Sequence, residues 1–150
     1  MDFTTAIKTC LKLRYFDFQG RARRSEYWWF FLFNFLVSLV LGWIPIIGLL
    51  ITLGLLIPGI AVTVRRLHDT GRTGWWLLAP LGIAIVGALI TWPIIASGQE
   101  PSILLGIIGL AYLGVSIMLL VWFCQRGTVG PNAWGPDPYD PAGDVEAVFS

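Results

Sequence analysis

Within Arg65-Arg66-Leu67-His68-Asp69-Thr70-Gly71-Arg72, the residues Arg65, His68, Asp69 and Arg72 fall at i, i+3, i+4 and i+7. On a helix they would share one face. Two chemistries suit that face. One is a cationic pocket for a phosphate or a lipid headgroup, since a planar guanidinium can hold two phosphate oxygens at once. The other is an Asp69–Arg pair that ties this segment to a neighbouring one. Thr70-Gly71 is a helix-ending signal, so Arg72 is the outermost member of the set. Catalysis by His68 is poorly supported. Adjacent helical residues point about 100° apart, so Asp69 would not orient His68 as a base. We assign no catalytic residue.

A second basic segment, Gly20-Arg21-Ala22-Arg23-Arg24-Ser25-Glu26-Tyr27-Trp28-Trp29, precedes a long apolar run. Its arginines and aromatics suit a membrane boundary. An acid at such a boundary is costly without a partner, so Glu26 calls for a base. Arg23 stands at i, i+3, and Arg65 or Arg66 could reach Glu26 from the other segment. Arg21, Arg23, Arg24, Arg65, Arg66, His68 and Arg72 are therefore the expected ligand- or lipid-binding set, with Glu26 and Asp69 as structural ion-pair partners. A third segment, Gly127-Thr128-Val129-Gly130-Pro131-Asn132-Ala133-Trp134-Gly135-Pro136-Asp137-Pro138, is too rich in glycine and proline for a regular helix. A plain linker would not need a tryptophan. We expect an extended segment folded back and anchored by Asn132 and Trp134. The two cysteines, Cys10 and Cys124, and the one histidine are too few and too scattered for a zinc site. No metal or cofactor is expected, and the thiols should be reduced.

The elements that must position these groups are helices in a bilayer. Hydrophobic residues make up 56% of the 150 residues and charged ones 13%, about half the usual share for a soluble domain. No charge occurs from Tyr27 to Val64, from Thr73 to Gln99, or from Ser102 to Gln125. A chain this short lacks the interior to hide such runs. The arithmetic excludes a soluble enzyme, a nucleic-acid-binding domain and a disordered chain. A bilayer-crossing helix needs about 20 apolar residues. The first stretch is long enough for two, broken at Gly42-Trp43-Ile44-Pro45. The reading is all-α: a single membrane domain over 1–138 with four transmembrane helices near 27–41, 45–64, 75–95 and 103–123. Continuous apolarity argues against a β-barrel, whose strands alternate. Phe3 to Arg14 reads as a short amphipathic helix. It suits either the inner leaflet or the protein's own face. Tyr139 to Ser150 reads as an acidic, mobile tail.

With four spans, all ten Lys and Arg residues lie on one side. That is a positive-inside pattern, so both termini are expected in the cytoplasm. The first apolar run has no small-residue cleavage site, which argues against a removed signal peptide.

Together the three polar motifs resemble the bacterial inner-membrane family known as domain of unknown function 805. The matching stretches are Phe18–Trp28, Arg65–Trp75 and Gly127–Pro138. Trp134 is a departure, since the family pattern suggests a smaller aromatic there. The resemblance implies a small multi-pass protein of the bacterial inner membrane and no established activity, cofactor or catalytic residue.

Three functions fit these observations. The favoured one is a non-enzymatic module whose arginine-rich cytoplasmic face binds anionic lipid headgroups, a phosphorylated ligand or a partner protein. A second copy of the chain is one such partner, and nucleic acid is not. The second is a transporter or channel subunit lined by Asn34, Ser38, Thr52, Thr91, Tyr112 and Ser116, which offer no charge for a proton relay. The third is an enzyme acting on a lipid headgroup through His68 with Asp69 or Glu26.

Overall fold

The computed structural model describes residues 1–140. Among them the regular structure is helical, with one isolated bridge between Asn132 and Gly135. A short helix α1 (Phe3–Lys8) runs into a π-helical turn over Thr9–Leu13. Long helices follow: α2 (Arg24–Leu41), α3 (Pro45–Asp69), α4 (Ala79–Ala96) and α5 (Ser102–Cys124). A 3₁₀ turn over Gly74–Leu78 leads into α4.

Three helical stretches are long and apolar enough to cross a membrane: Ile46–Asp69, Gly74–Ala96 and Ser102–Cys124. The large aliphatic side chains along them, such as Leu50, Leu89 and Leu110, are exposed on the isolated chain. Water would not tolerate so broad an apolar surface, and lipid does. Helix α2 is more polar at its start, where Arg24, Ser25 and Glu26 form the first turn.

Helices α2, α3 and α5 begin at or a few residues before the expected 27, 45 and 103, whereas α4 begins at Ala79, four residues after the expected 75, because a 3₁₀ turn over Gly74–Leu78 precedes it. Helix α3 continues past Val64 to Asp69, so the Arg65–Asp69 motif is helical. The N-terminal helix is interrupted. Only Phe3–Lys8 is α-helical, and the wider π turn carries the chain through Cys10.

The chain divides into two compact units, Met1–Gly74 with the chain from Gln125, and Trp75–Cys124. In the first unit, α2 and α3 form an antiparallel hairpin. Its turn is closed by the Gly42 N–H on the Ser38 carbonyl at 2.9 Å and the Ile44 N–H on the Leu41 carbonyl at 3.0 Å. Helix α1 packs on the start of α2, where Phe3 meets Trp29 edge-on and the Trp29 indole N–H donates to the Met1 carbonyl at 3.2 Å. The buried core sits at this end of the hairpin: Ala6, Cys10, Ala22, Tyr27, Phe30, Ala61, Val62 and Leu67.

In the second unit, α4 and α5 pair closely. A Cβ on Gly87 would lie 2.8 Å from Ile108, so a glycine is what lets the helices approach. Trp76 and Trp122 meet edge-on, 5.2 Å between ring centres, at one end of this pair.

Candidate functional site

The polar residues of the first unit converge where α2 begins and α3 ends. Glu26 lies in the first turn of α2, and Arg65, Arg66 and Asp69 lie in the last turns of α3. The hairpin brings these two ends side by side. All four are buried, and Arg65, Arg66 and Asp69 are fully so. Charges removed from water in this way must be paired and hydrogen-bonded.

Arg65 donates from Nη1 to Glu26 Oε1 at 2.6 Å. The Cys10 thiol donates to the same oxygen across 3.8 Å. Asp69 receives two arginines. Arg21 reaches its Oδ1 from Nε and from Nη2, each at 3.0 Å, and Arg66 reaches its Oδ2 from Nη1. Both arginines have further acceptors on the segment after α5. Arg21 donates to the carbonyls of Gly130 (2.6 Å) and Thr128 (2.5 Å), and Arg66 donates to the carbonyl of Gln125. Among the described residues, Nε and Nη2 of Arg65 meet no acceptor.

The Gly/Pro-rich segment thus forms a strap across the end of α3. Its backbone also donates back: the Thr128 N–H meets the Asp69 carbonyl at 2.8 Å. Asn132 donates through Nδ2 to the His68 carbonyl and to Thr128 Oγ1, each at 2.9 Å. The Trp134 ring stacks on His68 with centres 4.9 Å apart and planes at 11°. Gly127 passes so close to Asp69 that a Cβ there would run into the carboxylate. Asp137 closes the strap by accepting from the N–H groups of Gly130 and Tyr139, both at 2.9 Å. Those donors, Tyr139 foremost, hold its carboxyl below the usual aspartate value, with Arg21 adding to the effect.

His68 turns Nδ1 toward the Gly20 carbonyl at 3.2 Å. A carbonyl only accepts, so Nδ1 carries the proton. Asp69 faces Arg21 and Arg66 instead of this ring, and the two form no catalytic dyad.

The seven basic residues expected to bind a ligand divide into two groups. Arg21, Arg65 and Arg66 are buried in the cluster, and His68 lies beneath Trp134. Arg23, Arg24 and Arg72 lie outside it. Arg23 stacks over the Tyr139 ring at 5.2 Å, and the Arg24 N–H meets the Tyr139 hydroxyl at 3.3 Å. Arg72 donates to the Thr70 carbonyl at 3.0 Å. Tyr139, expected at the start of a mobile tail, is therefore held against the start of α2. The Asp140 N–H meets the Asp137 carbonyl at 3.0 Å, and the tail from 141 onward lies outside the described residues.

Sequence reasoning missed Cys10, Gly127 and Asp137. Asp137 carried a signal, being the one acid in the third motif. The carbonyls of Gln125, Thr128 and Gly130 carried none, since every residue has a carbonyl. No group of His, Cys, Asp and Glu among the described residues could hold a metal ion.

Residues 15–136, which hold Arg21, Glu26, Arg65, Arg66, Asp69 and the strap as far as Pro136, match the family model described as protein of unknown function (DUF805). The chain belongs to this family. Among its relatives, the inner membrane protein YhaH of Escherichia coli strain K12 is 37% identical over 136 residues, covering 83% of this chain and 88% of YhaH. The inner membrane protein YhaI of the same strain is 35% identical over 132 residues, covering 83% and 87%. The uncharacterized protein YiiR of that strain is 32% identical over 140 residues, covering 83% and 88%. No solved structure matches the chain. Family membership, inner-membrane relatives and the apolar helices together make this an inner-membrane protein.

Proposed function

We propose that the protein is a non-enzymatic inner-membrane module that crosses the bilayer four times, with both termini in the cytoplasm, and that its cytoplasmic face binds anionic lipid headgroups. The observation that carries this reading is the division of the basic residues. The most buried arginines are engaged by internal acceptors and serve as structure. Lys8, Lys12, Arg24 and Arg126 flank that cluster and are exposed. Each basic side chain at an anionic surface contributes about 1 kcal/mol of attraction.

Two further observations favour this reading over its rivals. A transport path needs polar groups turned toward a lumen. The hydroxyls of Thr52, Thr91 and Ser116 instead donate to the i−4 carbonyls of their own helices, at 2.8 to 2.9 Å. A headgroup-cleaving enzyme needs an oriented acid and base. His68 is covered by Trp134, and Glu26 is engaged by Arg65.

Lipid retention in detergent, read by native mass spectrometry, tests the proposal. Wild-type protein should keep phosphatidylglycerol in preference to phosphatidylcholine. Changing Lys8, Lys12, Arg24 and Arg126 to Gln should reduce that preference at least tenfold without altering thermal unfolding. A folded variant that keeps the full preference would refute headgroup binding by these residues.

A further inference from the structure

Pro58 stands inside α3 and is fully buried. Proline has no backbone N–H, so the carbonyl four residues earlier, that of Gly54, loses its helical donor. An orphaned carbonyl at membrane depth is costly, and something must satisfy it. The Tyr15 hydroxyl does so, donating to Gly54 O at 2.5 Å.

That bond also fixes a depth. Gly54 lies about 16 Å along α3 from Arg65 at 1.5 Å per residue, roughly half the thickness of the hydrocarbon core. A tyrosine side chain cannot bridge that whole distance. The backbone around Tyr15 must therefore lie on the hydrocarbon side of the Arg65–Glu26 pair. The neighbouring residues suit such a place. Leu13 is 77% exposed and Phe16 is 70% exposed, and Phe16 packs edge-on against Tyr15. The nearby charges are handled locally: Arg14 pairs with Asp17 at 3.7 Å, and the long stem of exposed Lys12 lets its ammonium reach the interface.

We propose that residues 13–16 form a re-entrant wedge in the leaflet on the basic side. Leu13 and Phe16 meet lipid acyl chains, and Tyr15 holds the wedge in place by supplying the donor that Pro58 lacks. The inference rests on α3 crossing the bilayer and is independent of headgroup binding.

The test uses full-length protein in nanodiscs of phosphatidylcholine and phosphatidylglycerol, with Cys124→Ser removing the exposed thiol. A fluorophore is attached at Leu13→Cys, with Leu53→Cys on α3 as a depth reference and Val129→Cys on the strap as an aqueous one. Doxyl-labelled lipid should quench the probe at position 13 about as strongly as at position 53, and far more than at position 129. Quenching at 53 but not at 13 overturns the wedge. Quenching at neither overturns the span and the wedge with it.

Tyr15→Phe should raise the reactivity of the Leu13→Cys thiol toward a membrane-impermeant maleimide by about three- to tenfold, the scale of one hydrogen bond. Pro58→Ala restores the backbone donor and should loosen the wedge to a similar degree. The double substitution should then do no more than either alone. Additive effects would show that Tyr15 does not act through the Pro58 gap, and would overturn that part of the assignment.

Discussion

Asp69 is the residue on which most of the polar contacts depend. Its carboxylate takes Arg21 on one oxygen and Arg66 on the other, and its carbonyl takes the Thr128 N–H. Neutralising it leaves two buried guanidiniums without their countercharge. Removing one partner of a buried pair costs about 3–5 kcal/mol. Asp69→Asn should therefore lower the thermal unfolding temperature in detergent sharply, whereas Glu100→Gln, at an exposed position between α4 and α5, should shift it little. Cys10 supplies a test of a different kind. Burial, assisted by the Glu26 carboxylate and opposed by Arg65, pushes its thiol up to about 12 from an ordinary 9.0. It should resist alkylation by N-ethylmaleimide at pH 8 in the folded protein, while exposed Cys124 reacts. A raised value means the folded state holds the proton more tightly, so the contribution of this thiol is complete below pH 9.0 and is lost as the pH rises toward about 12. Fast alkylation of both cysteines at pH 8 would contradict this placement.

The strap decides whether the cluster is closed, and it depends on a close backbone approach. Gly127→Ala would press a methyl group into the Asp69 carboxylate. Overpacking of this kind costs about 1–3 kcal/mol. Limited proteolysis should cut the strap faster in that variant, whereas Gly114→Ala, where nothing lies near the added methyl, should leave cleavage unchanged. The long helices were legible in the sequence because apolarity and length are properties of the chain itself. The extension of α3 to Asp69 was legible in the spacing of Arg65, His68 and Asp69. The need of Glu26 for a base was legible too, though Arg23 stood as an equal candidate until the hairpin placed Arg65 against it. The strap's acceptors were not legible. They are backbone carbonyls, which mark no residue type. The π turn after α1 was also hidden, since Thr9–Leu13 continues the same amphipathic pattern as Phe3–Lys8.

Over the whole molecule, low charge content is a matter of placement. The apolar runs carry helices whose side chains face outward, and the first unit gathers its buried charge at one end of the α2–α3 hairpin. That cluster joins residues far apart in the chain: Arg21, Asp69 and Gly130 meet in one set of hydrogen bonds. The order of synthesis gives this a consequence. Arg21, Arg65 and Arg66 are made early, but the Gln125, Thr128 and Gly130 carbonyls are made only after α5. Until then Arg21 and Arg66 lack acceptors that they hold in the finished protein. The strap, made after all four long helices, is thus the segment that completes the bonded interior. A nascent chain stopped at Cys124 would carry its helices without the closure that holds the charged ends of α2 and α3.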